Sequence, residues 1–167
     1  SANEKQLVDL HEAIMTTIAV ARNEWKYVSE LSTNFDANLP LVPCLRNELN
    51  QVILNLIVNS AHAIAEKGQT GTEAKGLISI TTERVGNEAE IQVRDSGAGI
   101  PARVLARIYD PFFTTKPVGK GTGQGLAIAR SVVVDKHGGT IRVETQPGLG
   151  TCFFIRLPLG QADDGAS

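Results

Sequence analysis

A chain of 167 residues is the size of one domain and is long enough to bury a single core. A hydrophobic content of 42% excludes a disordered chain, and a net charge of −2 without any basic block argues against a nucleic-acid surface. No apolar run approaches the ~18 residues of a membrane span, so the expectation is a cytoplasmic domain without membrane contact of its own, whether or not a full-length protein is anchored.

From Gln6 to about Arg22, Leu7, Leu10, Ile14, Ile18 and Ala21 recur every three or four positions, which predicts an amphipathic helix. Val28 to Phe35 alternates loosely and reads as a strand. Leu39-Pro40-Leu41-Val42-Pro43 reads as an extended connector, because proline biases its predecessor away from the helix. The longest helical pattern runs from about Arg46 to Lys67, with Leu49, Val52, Ile53, Leu56, Ile57, Ser60 and Ala63 along one side and Gly68 as its stop. Residues 76–85 and 88–94 alternate as two strands around Gly86-Asn87. A short helix is expected after Pro101, then a mobile loop over 111–124 and a helix from about Gln124 to His137. Thr140 to Thr145 and Thr151 to Leu157 read as the last two strands, with Gly148 and Gly150 at their turn.

This order predicts an α+β fold: a two-layer sandwich with a mixed, mostly antiparallel sheet of about five strands and about three main helices on one face. Residues 1–160 read as one domain. Residues 161–167, small and polar, read as a flexible tail or the start of a linker. The two cysteines, Cys44 and Cys152, stand far apart and outside any paired-cysteine motif, as buried thiols of a reducing compartment do.

Four clusters could carry chemistry. Asn55 and Asn59, four residues apart, share a face of the long helix beside apolar neighbours. Their carboxamides need polar partners, which a neighbouring strand, solvent, or a hydrated magnesium ion with phosphate oxygens would each supply. Asp95-Ser96-Gly97-Ala98-Gly99 ends a strand. Its carboxylate can accept from an exocyclic amine such as that of adenine, although ordinary turns use the same residues.

Glycine is absent before Gly68, yet six of the 16 fall from Gly97 to Gly125. Gly119-Lys120-Gly121-Thr122-Gly123-Gln124-Gly125-Leu126 leads into a helix, where free N–H groups and the helix dipole favour an anion. The spacing is neither a Walker loop nor a dinucleotide fingerprint. Finally, Asp110-Pro111-Phe112-Phe113-Thr114-Thr115-Lys116 places two adjacent aromatics in a loop of a chain that is only 5% aromatic, either as a loop anchor or as a satellite cluster. Lys116 and Lys120 could meet phosphates or solvent.

An asparagine pair, then DxGxG, then FF with GxGxGL, then Gly150-Thr151 resembles the box order of the sensor histidine kinase catalytic and ATP-binding domain. That family belongs to the GHKL superfamily of the Bergerat fold, together with type II topoisomerase ATPases, heat-shock chaperones and mismatch-repair ATPases. The resemblance covers roughly Leu7 to Pro158. It implies Mg-ATP binding and transfer of the γ-phosphoryl group to a histidine on a dimerisation domain absent from this chain, with a response regulator downstream. It implies Asn59 as the magnesium ligand, with Asn55, Asn59 and Lys116 at the reacting phosphate. It further implies nucleotide contacts from His62, Asp95, Gly97, Gly99, Ile100, Phe113, Lys116, Lys120, Gly121, Thr122, Gly123, Gln124, Gly125, Leu126 and Thr151, with residues 111–123 as an ATP lid.

Two positions depart from the pattern. ATP-hydrolysing relatives carry a water-activating glutamate where Asn55 stands, and asparagine cannot serve as a general base. The family often has lysine where His62 stands. A hydrolysing ATPase of the same superfamily, an anti-sigma serine kinase and a non-catalytic interaction domain are the competing readings. His11-Glu12 looks superficially like a phospho-acceptor pair, but the sequence around it reads as an ordinary first helix with a surface histidine.

Overall fold

The computed structural model describes residues 4–68, 74–111 and 125–160. Five strands form the main sheet: β2 (Ser29–Asn34), β4 (Gly76–Val85), β5 (Glu88–Asp95), β6 (Thr140–Gln146) and β7 (Gly150–Pro158), in spatial order β2-β4-β5-β7-β6. Only β2 and β4 run parallel; the other neighbours are antiparallel, as the alternating patterns and the turns at Gly86 and Gly148 require. The expected mixed, mostly antiparallel sheet is therefore present.

Alternation divides the sheet into two faces. Ile78, Ile80, Ile91, Val93, Phe153 and Ile155 turn to one face and are buried. Helices α1 (Leu10–Val20) and α3 (Arg46–Gly68) cover it, and the helical segment 125–136 adds the buried Ala129, Val132 and Val133 beside β6 and β7, giving the expected three main helical units on this face. Leu10 and Ile14 of α1 and Leu49, Ile53, Leu56 and Ile57 of α3 complete this aliphatic core, each at most 1% exposed. Among the described residues, the opposite face has no helix over it. There Arg156 pairs with Glu90 at 2.9 Å and Arg142 lies 3.9 Å above the Phe154 ring, so charged side chains shield that surface.

Three expectations are corrected. The helix predicted from Gln6 begins at Leu10, because the Asp9 carboxylate accepts the amides of His11 and Glu12 and caps it there. Gln6–Val8 is instead a strand, β1, antiparallel to β3 (Val42–Cys44), so the supposed connector also belongs to a two-stranded sheet. Pro43 is tolerated in it because that ribbon has only two strands, both of them edges. The helix predicted from Gln124 to His137 is two pieces: α5 (Gly125–Arg130) and a π-helical segment, Ser131–Lys136. That widened stretch holds three consecutive valines, whose branched Cβ atoms crowd a regular α-turn.

Arg22–Trp25 forms a short helix, α2, and Ala102–Leu105 another, α4, for which Pro101 is the N-cap residue. Both cysteines are free and buried, and burial pushes each thiol up to about 11. No helix among the described residues is long and apolar enough to cross a membrane.

Candidate functional site

One face of α3 organises the site. Asn55, Asn59 and Ala63 follow one another at four-residue spacing. At the first level, Asn55 Nδ2 donates to the Gly125 carbonyl at 3.4 Å, while its Oδ1 accepts from Gln51 at 3.0 Å. The asparagine-bearing helix is thereby tied to the start of α5, where Gly125 and Leu126 lie half-buried. Asn59 is half-buried one turn on, and His62 is exposed near the next level.

At the far level, Ala63 meets the loop after β5. A Cβ on Gly97 would lie 2.6 Å from the Ala63 Cβ and 2.7 Å from its carbonyl carbon, so only glycine lets this loop lie against the helix. The Ala98 amide donates to the Ala63 carbonyl at 3.1 Å. Gly99 has φ +77°, and a Cβ there would strike the Gln146 carbonyl oxygen at 2.4 Å. The 96–100 loop is thus clasped between α3 and the β6–β7 turn.

Asp95 closes β5 at the mouth of this loop, between Ile78 of β4 and Thr151 of β7. It is 7% exposed, and burial pushes its carboxyl above the ordinary carboxylate range. Hydrogen bonds from the Gly97 amide (2.8 Å), the Ser60 hydroxyl and the Thr151 amide pull in the other direction. A carboxylate has about four acceptor positions, one more than these three donors fill, so capacity remains for a further donor. Ser60 and Thr151 are themselves buried. Ser60 is absent from the sequence-derived site, where it reads as one more small residue of the helical stripe.

The described residues therefore gather Asn55, Asn59, Asp95, Gly97, Gly99, Ile100, Gly125, Leu126 and Thr151 around one side of α3 and the adjoining strand ends. His62 is on the same helix but turned outward. Phe113, Lys116, Lys120, Gly121, Thr122, Gly123 and Gln124 lie outside the described residues, as does Phe112. A groove of about 370 Å³ that includes Leu77, Arg94, Glu144 and Cys152 opens on the helix-free face. Asp95, Ser96, Thr145, Gly150 and Thr151 line it as well, so it adjoins this arrangement at the strand ends. Among the described residues, no group of three or more His, Cys, Asp or Glu could hold a metal.

His11 is not the surface histidine expected. Its ring stacks on Phe35 at 4.3 Å and its Nε2 lies 2.8 Å from Thr82 Oγ1, which ties α1 to the sheet.

The family model for histidine kinase-, DNA gyrase B- and HSP90-like ATPases matches residues 44–161. The sensor histidine kinase ZraS of Escherichia coli (strain K12) is 38% identical over 156 residues, 92% of this chain and 31% of that protein. The C4-dicarboxylate transport sensor protein DctS of Rhodobacter capsulatus is 36% identical over 152 residues, 91% of this chain and 22% of that protein. The catalytic domain of the histidine kinase ThkA superposes with a TM-score of 0.77 at 30% identity, covering 93% of this chain and 96% of that one. The mycobacterial sensor histidine kinase MprB gives a TM-score of 0.74 at 26% identity, covering 92% and 97%.

A mixed sheet under helices, with a buried carboxylate against Ser60 in the middle of α3 and an asparagine pair on the turns just before it, defines a GHKL-type nucleotide-binding fold, and this chain belongs to the histidine kinase-, DNA gyrase B- and HSP90-like ATPase family. Within that family it is a catalytic, ATP-binding domain of the sensor histidine kinase type. It spans 31% of the length of ZraS and 22% of that of DctS.

Proposed function

We propose that this domain binds Mg-ATP and donates the γ-phosphoryl group to a histidine carried on a dimerisation domain outside the chain. The carrying observation is the pairing on α3: Ser60 and Ala63 hold the Asp95–Gly99 loop, and Asn55, earlier on the same helix, is tied to the start of α5, with Asn59 between them. In this reading the Asp95 carboxylate accepts from the adenine amine. Gly97 and Gly99 keep the loop flat enough for the base to approach, and Ile100 supplies an apolar contact beside it. Gly121, Thr122, Gly123 and Gln124, with Gly125 and Leu126, present amides to the phosphates, and Lys116, Lys120 and His62 add charge or hydrogen bonds there. Phe113 anchors the lid.

Asn59 supports a magnesium site through its chemistry: a half-buried amide oxygen is a hard ligand of the type that suits a hydrated dication. Bound magnesium would neutralise charge on the phosphates. Asn55, already engaged with Gly125 and Gln51, holds the two helices in register and does not activate water. The chemical step is then one of positioning: the bond between the γ-phosphorus and the bridging oxygen breaks, a bond from phosphorus to an imidazole nitrogen forms, and ADP departs.

The histidine kinase ThkA is known in complex with the response regulator protein TrrA. A response regulator is the corresponding downstream partner here. The test is to mix this domain with ATP, magnesium and a separately produced acceptor domain. Acid-labile labelling of the acceptor, with little free phosphate released by the domain alone, is the expected result. Steady ATP hydrolysis without labelling would overturn the kinase reading in favour of a hydrolysing ATPase.

A further inference from the structure

Three hydrogen bonds converge on one hydroxyl beside the buried carboxylate. Thr145 of β6 faces Thr151 of β7 across the sheet. Its Oγ1 lies 2.9 Å from the Ile100 amide, 3.1 Å from the Gly150 carbonyl and 2.8 Å from Thr151 Oγ1. A threonine hydroxyl has one proton and two lone pairs. The Ile100 amide can only donate, and the Gly150 carbonyl can only accept. The Thr145 proton therefore goes to Gly150, one lone pair receives the Ile100 N–H, and the second receives the proton of Thr151.

Thr151 is left with lone pairs alone. Directly across the β5–β7 pairing from it stands Asp95, an acceptor when ionised. That end of the site thus presents two acceptors and no hydroxyl donor. A 6-aminopurine brings two N–H donors to such a surface. A 6-oxopurine puts an acceptor oxygen where the amine stood; its N1–H can serve one of the two acceptors, but the oxygen then meets the lone pairs of the other, and an unmatched polar contact of that kind is penalised.

We propose that Thr145 is a positioning residue for base recognition: by engaging the Thr151 proton and fastening Ile100, it makes the pocket select 6-aminopurine nucleotides over 6-oxopurine ones. This inference rests on Asp95 being the base-reading carboxylate. Thr145 need not touch the nucleotide. It acts by deciding which way the Thr151 proton points and where the Gly99–Ile100 turn sits. Removing its hydroxyl frees Thr151 to turn a donor into the pocket and to accommodate an oxo group.

The experiment is calorimetric titration of ADP and of inosine diphosphate into the wild-type domain and into Thr145→Val, Thr145→Ala, Thr145→Ser and Asp95→Asn. The quantity read is the ratio of the two dissociation constants within each protein, which cancels any change in folded fraction. Wild type should favour ADP. Thr145→Val and Thr145→Ala should each shrink that preference by about fivefold or more, the size of one hydrogen bond, and Thr145→Ser should restore it. If both hydroxyl-free variants keep the preference within about twofold while Asp95→Asn abolishes it, the role of Thr145 is wrong and the adenine assignment stands. If wild type shows no preference, or Asp95→Asn leaves it intact, the adenine assignment fails and this inference fails with it.

Discussion

The Asn55 carboxamide donates to the Gly125 carbonyl, 3.4 Å away, and so fastens the asparagine-bearing helix to the first residue of α5. Eight residues further along α3, Ala63 touches Gly97. At 1.5 Å of rise per residue, these two contacts stand about 12 Å apart along the axis. One rigid helix therefore sets the spacing between the loop after β5 and the start of α5. An error in either contact changes that spacing and with it the fit to any ligand that spans both.

Asp95→Asn is expected to weaken ATP and ADP binding by more than about 1 kcal/mol, because only one of the two acceptor oxygens remains to serve the Gly97, Ser60 and Thr151 donors and the base, and the new NH2 meets donors. Calorimetry measures it, and an unchanged dissociation constant would remove Asp95 from the site.

The same substitution has a pH signature in the nucleotide-free domain. Burial raises the folded pKa of Asp95 above its unfolded value. Between those two values the folded state holds the extra proton, so this group's contribution to stability is present at low pH and is lost as pH rises through the folded pKa. Asparagine carries no such penalty. The melting temperature of Asp95→Asn should therefore gain on that of wild type as pH rises from about 3 towards neutrality. A difference between the two proteins that stays constant with pH would show that burial does not penalise this carboxylate.

Asn59→Ala should leave magnesium-free nucleotide binding nearly intact and reduce the improvement that magnesium brings. Titrations of ATP with and without the ion separate the two. Equal loss in both conditions would mean that Asn59 contacts the nucleotide or supports the fold and does not serve the metal.

The sheet and the long helix were legible because their signals are periodic and long. Alternation in residues 76–95 marks both β4 and β5, and the stripe from Leu49 to Ala63 marks α3, although the structure buries Ile64 in place of Ala63 at its end. Leu7 misled because a residue three positions before Leu10 suits a helix as well as a strand; the decisive signal was Asp9, whose carboxylate starts α1 after it. β3 was hidden by Pro43, which is uncommon in strands and tolerated here at an edge. Ser60 and Thr145 were passed over because nothing local distinguishes a hydroxyl that faces a carboxylate from one that merely suits a helix or a strand. Their roles arise from contacts of residues 35 and 45 positions apart, which only the fold brings together.

Gly97→Ala should destabilise the domain by about 1–3 kcal/mol and weaken nucleotide binding as well, since the new methyl group forces the 96–100 loop away from α3. Ala63→Gly should not rescue it. Deleting the Ala63 Cβ removes one clash, but the carbonyl carbon and oxygen at 2.7 and 2.9 Å remain and belong to helix backbone. Thermal unfolding of the single and double variants decides the point. Full recovery in the double variant would place the conflict at the methyl groups alone.

His137 joins the other two elements behind the site. Its Nε2 accepts the Leu45 amide at 2.9 Å just ahead of α3, and its Nδ1 lies 2.8 Å from the Val132 carbonyl inside the π-helical segment. An acceptor at Nε2 fixes the neutral tautomer, with the proton on Nδ1 donated to Val132. The ring is 4% exposed, so water cannot readily replace either partner. His137→Phe keeps most of the volume and deletes both bonds, leaving a buried N–H and a buried C=O unpaired at about 1–3 kcal/mol each. His137→Gln can satisfy one of the two and should fall between Phe and wild type. Because the π-helical segment continues α5, and α5 holds Gly125 against Asn55, loss of the clamp should also loosen nucleotide binding in protein that remains folded. Hydrogen exchange at the Leu45 amide reports the bond directly: it should accelerate in both variants, and more in Phe than in Gln. Protection equal to wild type in His137→Phe would show that the Leu45 amide does not depend on this ring.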